Sequence, residues 1–143
     1  MNDLEKAKIQ LTQRQLTLVI VKNGEILFET EFHRISGFLT AIEQLGKKLE
    51  NASIADKVVG KAVALLCVYA RVKAVYAETL SSEAKSLFEE NRVTSEWKEI
   101  VEVILDDRKQ DMCPFEKEAN NITNPKEAYI RFKALQQKLR ACK

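Results

Sequence analysis

Two β-rich apolar runs, residues 16–21 and 26–32, flank the pair Asn23-Gly24. Asn-Gly supplies the positive φ angles that a two-residue type I′ turn demands, so this segment predicts a β-hairpin. Ahead of it, Leu4, Ala7, Ile9 and Leu11 recur at loosely helical spacing behind Asp3, which suits an N-cap. The pattern predicts a short helix over 3–14. After the hairpin, Ser36-Gly37 precedes Phe38, Leu39, Ile42, Leu45 and Leu49, which share one helix face.

The next stretch is apolar on almost every side. Ser53, followed by Asp56 three residues on, resembles a capping box, and residues 58, 59 and 62–68 carry hardly any polar position. Such a run reads as one buried central helix over 53–70. Residues 72–77 then read as a core strand, and Ser81 or Ser82 as the cap of a helix running through Phe88. Residues 97–105 fit either a helical stripe or a buried strand, and the pattern leaves both open. Beyond a polar loop at 106–111, Pro114 suits the first turn of a helix, and Asn124, Pro125 and Glu127 mark the start of a last helix over 124–142. Helices that follow a hairpin and alternate with later strands predict an α/β fold, a three-layer α/β/α sandwich with a mixed sheet.

A length of 143 residues fits one domain with a core of its own. The net charge of +2 is spread along the chain, which does not favour nucleic acid as a partner. The nearest basic concentration is Lys126, Arg131, Lys133, Lys138, Arg140 and Lys143, and a solvated helix face explains it. No apolar run reaches membrane-spanning length, so no membrane partner is expected. Cys67, Cys113 and Cys142 form no disulfide framework, and the chain opens without a signal-peptide pattern, so the expected location is the reducing cytoplasm.

Ligands of open α/β sheets collect where helix N-termini meet the carboxyl ends of strands. Three junctions qualify. His33-Arg34-Ile35-Ser36-Gly37 could hold an anion at a helix start, with an ordinary cap as the plainer account. Asp56-Lys57-Val58-Val59-Gly60-Lys61 would put Lys57 and Lys61 on one helix face for a phosphate or carboxylate, but it lacks the glycine-rich lead of a P-loop. Met112-Cys113-Pro114-Phe115-Glu116-Lys117 would put a thiol at a helix start, where the dipole favours the thiolate, with Glu116 one turn on as base or ligand.

The pairing of Asp56-Lys57-Val58-Val59-Gly60-Lys61-Ala62 with Met112-Cys113-Pro114-Phe115-Glu116, together with Ser36-Gly37 and Val75-Tyr76-Ala77, resembles a family of small prokaryotic proteins of unknown function. Their fold is cytidine-deaminase-like and lacks the zinc-ligand motifs. A zinc deaminase needs H/C-x-E at one helix start and P-C-x-x-C at a later one. Placed against that pattern, Asp56-Lys57-Val58 has no His, Cys or Glu at the expected place, and Cys113-Pro114-Phe115-Glu116 offers one thiolate and a carboxylate, which with Asp56 would make an unusual set for zinc. No metal or other cofactor is therefore expected. The resemblance implies a pocket without metal that binds, or is modified by, a nucleotide-like or phosphorylated small ligand. Ser36, Gly37, Asp56, Lys57, Gly60 and Lys61 would form one wall, and Met112, Cys113, Pro114 and Lys117 the other. Two alternatives stand beside it. One is an enzyme using Cys113 as nucleophile, or Asp56 or Glu116 as general base. The other is a protein that self-associates, as a homodimer, through the last helix or the hairpin edge.

Overall fold

The computed structural model describes residues 1–31, 34–105 and 113–141. Helix α1 (Asp3–Gln13) is followed by the hairpin of β1 (Leu18–Lys22) and β2 (Glu25–Thr30), then by α2 (Arg34–Leu45) and a 3₁₀ turn at Gly46–Leu49. Asn23 and Gly24 both take positive φ, 52° and 80°, as a type I′ turn requires. Asp3 is not the cap of α1. That place belongs to Asn2, whose side chain accepts from the Glu5 amide, while the Asp3 carboxylate accepts from the Asn23 and Gly24 amides at 2.9 Å each. The first helix is thus bonded to the hairpin turn.

The long helix expected over 53–70 is two elements. Strand β3 (Ser53–Val59) runs to Gly60, the N-cap of α3 (Lys61–Ala70). β3 lies at the centre of the sheet, so it is buried on both faces and shows none of the alternation that betrays a half-exposed strand. Its apolar tail merges with the apolar helix behind it, and only Gly60 marks the boundary. β4 (Ala74–Ser81) starts two residues later than the expected 72–77 and ends four later, and Ser81 caps α4 (Ser82–Glu90) through the Ala84 amide at 3.1 Å. The ambiguous stretch 97–105 opens inside β5 (Thr94–Val101), an exposed edge strand rather than a buried one, which begins three residues earlier. α5 (Pro114–Ala119) begins at its proline, and α6 (Pro125–Ala141) is capped by Asn124, whose Oδ1 accepts from the Lys126 and Glu127 amides.

The five strands lie in the order β2-β1-β3-β4-β5. β1 is antiparallel to β2 and β3, while β3, β4 and β5 are mutually parallel, joined by crossovers through α3 and α4. One face is covered by α1, whose Leu4, Ala7 and Leu11 pack with Val19, Val21, Ala55 and Tyr76. The other carries the larger core: Leu18, Ile20, Ile54 and Val75 beneath Phe38, Leu65, Phe88, Phe115 and Phe132. The result is a three-layer α/β/α sandwich with a mixed sheet. None of the described helices is long and apolar enough to cross a membrane.

Candidate functional site

Because α3 follows β3 after one residue and α4 follows β4 directly, both helices start at the carboxyl ends of their strands. A helix start leaves amides without intrahelical partners. Gly60 offers α3 no side-chain cap. The cap comes from elsewhere: the buried carboxylate of Glu116, on α5, accepts from the Lys61 and Ala62 amides. Glycine at position 60 makes this possible. A Cβ built there would lie 1.4 Å from Glu116 Oε1 and 2.7 Å from Ile104 Cγ1, so any other residue collides with both.

Two contacts aim α5 at this point. Phe115 meets Phe132 of α6 edge to face, with centroids 6.0 Å apart, and Arg131 holds Glu118 at 2.6 Å. Cys113 donates its amide to the Ile104 carbonyl at 3.1 Å, which joins the start of α5 to the chain leaving β5. Ile104 and Glu116 therefore form a wall across the mouth of α3. Burial pushes the Glu116 carboxyl up to about 7; the two amides and Lys61 pull against that rise, and Glu83 adds to it. Beside the wall, a shallow depression of about 290 Å³ opens between α3 and α4, lined by Lys61, Ser82, Glu83, Ser86, Leu87 and Glu90.

The residues expected at the site fare differently. Gly60, Lys61 and Glu116 come together. Lys57 does not share a helix face with Lys61, because it lies on β3. Asp56 is fully buried on the same strand, in register between Leu18 of β1 and Ala77 of β4, and its Oδ1 accepts from the Val58 amide at 3.3 Å. With burial as the main cause and Asp56 adding to it, the Cys67 thiol is held well above its ordinary range. Gly37, in the first turn of α2, is packed so tightly that a Cβ would lie 2.9 Å from Thr30 Cγ2. Ser36, in the same turn, accepts at its carbonyl from Thr40 Oγ1. Cys113 is half-buried at the N-cap of α5, and Pro114 and Lys117 are exposed. His33 and Met112 lie outside the described residues.

The zinc comparison also changes, because no helix starts at Asp56. The helix that does start nearby opens Gly60-Lys61-Ala62, with neither thiolate nor imidazole, and its N-terminus is closed by Glu116. That donor set does not fit the zinc motif of the deaminases. Among the described residues no group of three metal-ligating side chains comes together. Sequence reasoning missed Ile104 and the Ala62 amide. The legible signal for them was Gly60, a glycine between an apolar strand and an apolar helix, where close approach of another segment is the usual reason.

A family profile described as "TM1506: Domain of unknown function (DUF1893)" matches residues 6–139. The crystal structure of a DUF1893 family protein, TM1506 from Thermotoga maritima, superposes with a TM-score of 0.84 at 22% identity, covering 94% of this chain and 90% of that one. dCMP deaminase from the cyanophage S-TIM5 is a more distant likeness, with a TM-score of 0.49 at 15% identity over 66% of this chain and 93% of that one. No curated protein matches the sequence.

Proposed function

The chain belongs to the DUF1893 family, and on that premise we propose that it is a metal-free pocket protein. In this reading the N-terminus of α3 receives the anionic part of a nucleotide-like or otherwise phosphorylated small ligand. One observation carries it: the buried Glu116 carboxylate already rests on the Lys61 and Ala62 amides. The chain sets a carboxyl group of its own where backbone donors and the helix dipole favour an anion, against the larger opposing effect of burial. A ligand phosphate or carboxylate would take the same donors, displacing Glu116, with the rest of the molecule lying toward Lys61, Ser82 and Ser86. Cys67 and Cys113 are unbridged thiols, which suits a reducing cytoplasm.

Calorimetric titration with inorganic phosphate and with a nucleoside monophosphate tests the reading. Lys61→Ala should weaken binding by roughly 1–3 kcal/mol, the worth of one charged hydrogen bond, with the fold intact by circular dichroism. Unchanged affinity in that variant, or no binding of either anion by the parent protein, rejects the site.

A further inference from the structure

The two edges of the sheet are not alike. β2 pairs with β1 through a register shift at Ile20/Val21, a bulge of the kind that turns an edge away from partners. Its charged residues, Glu25 and Glu29, are both acidic, and Arg14 already grips Glu29. β5 is different. Among the described residues no strand lies outside it, six of its eight residues are exposed, and the other two are half-buried. Four of the large hydrophobic side chains exposed in the described residues, Trp97, Ile100, Val103 and Leu105, fall on β5 or within four residues of its end.

The charge pattern of β5 says what suits this edge. A two-fold axis perpendicular to a sheet keeps every side chain on its own face, so two copies of one strand can pair antiparallel only about a residue that faces itself. Centring on Glu96, Lys98 or Glu99 sets like charges directly opposite, which destabilises a pair, and centring on Ser95 or Ile100 pairs only three residues of the strand with one another. Centring on Trp97 sets Glu96 against Lys98 of the second copy, Lys98 against Glu96, and tryptophan beside tryptophan. We propose that β5 is a homodimer edge, pairing antiparallel with β5 of a second copy about Trp97 so that one ten-stranded sheet runs through both molecules. The surface stands apart from the anion site, and either can fail without the other.

The test is sedimentation equilibrium of the full chain and of two surface variants, Glu96→Lys and Lys98→Glu. Both substituted residues are exposed, so the monomer fold should survive. The parent protein should be a dimer. Each variant alone opposes like charges twice and should dissociate roughly tenfold more readily. Mixed in equal amounts, the two variants should pair with each other, because every opposed position then carries opposite charges. A monomeric parent overturns the proposal. So does a dimer that neither substitution weakens, or a pair of weakened variants that do not associate on mixing.

Discussion

Glu116 shows how far one residue's role depends on packing that no local pattern records. The sequence marks it as a carboxylate one turn into a helix, a candidate base beside Cys113. The structure turns it away toward α3, because Phe115 and Glu118 are both committed to α6. Its raised titration makes a pH prediction with a definite sign. The folded state holds a proton up to about 7, whereas an exposed carboxyl releases it near 4.5. Between those values the native state binds more protons than the unfolded state, so stability falls as pH rises through that window and levels off above it. The contribution is up to about 3 kcal/mol. Glu116→Gln keeps the shape and stays neutral, so urea unfolding of this variant should show a flatter profile from pH 4.5 to 7 and greater stability than the parent at pH 8. A variant whose profile follows the parent's would show that another group titrates there.

At the scale of elements, the pieces with chemical punctuation were legible and the central one was not. The hairpin followed from Asn23-Gly24, and α6 from Asn124-Pro125, because turn and cap residues act through their own backbone. β3 was read as a helix because a strand buried on both faces carries no period of two, and because Ser53 and Asp56 imitate a cap while serving as buried residues of the sheet. Asp3 was given the wrong partner for a related reason: the turn it bonds lies twenty residues on. The seam between β3 and α3 is also the place to test how α5 docks. Gly60→Ala drives a methyl group into Glu116 and should cost roughly 1–3 kcal/mol. Adding Glu116→Ala removes the main obstacle, so the double variant should lose less than the sum of the single losses in denaturant melts. Simple additivity would mean that the two residues do not press on one another.

For the whole molecule, the class of fold was readable because it needs only the kinds of element and their rough order. The site was only partly readable, because it is assembled from segments more than fifty residues apart, 60–62 and 113–116, which meet only once β4, α4 and β5 have been laid down between them. The same arrangement divides the chain in time. α1, β1 and β2 touch one another within the first thirty residues, and the Asp3 carboxylate fastens the helix to the turn. The parallel strands must wait for two helical crossovers to close, and loop closure delays such pairings. A hairpin forms within about 10 μs, so this opening unit should be the first to shelter its amides when the denatured chain is diluted into buffer. Pulsed hydrogen exchange should find Ile20 and Phe28 protected ahead of Val75 and Tyr76. The reverse order would place the start of folding in the parallel half. If the hairpin leads, the edge proposed to join two copies, β5, is the last strand to be seated, and partnership between molecules begins only when each has finished its own sheet.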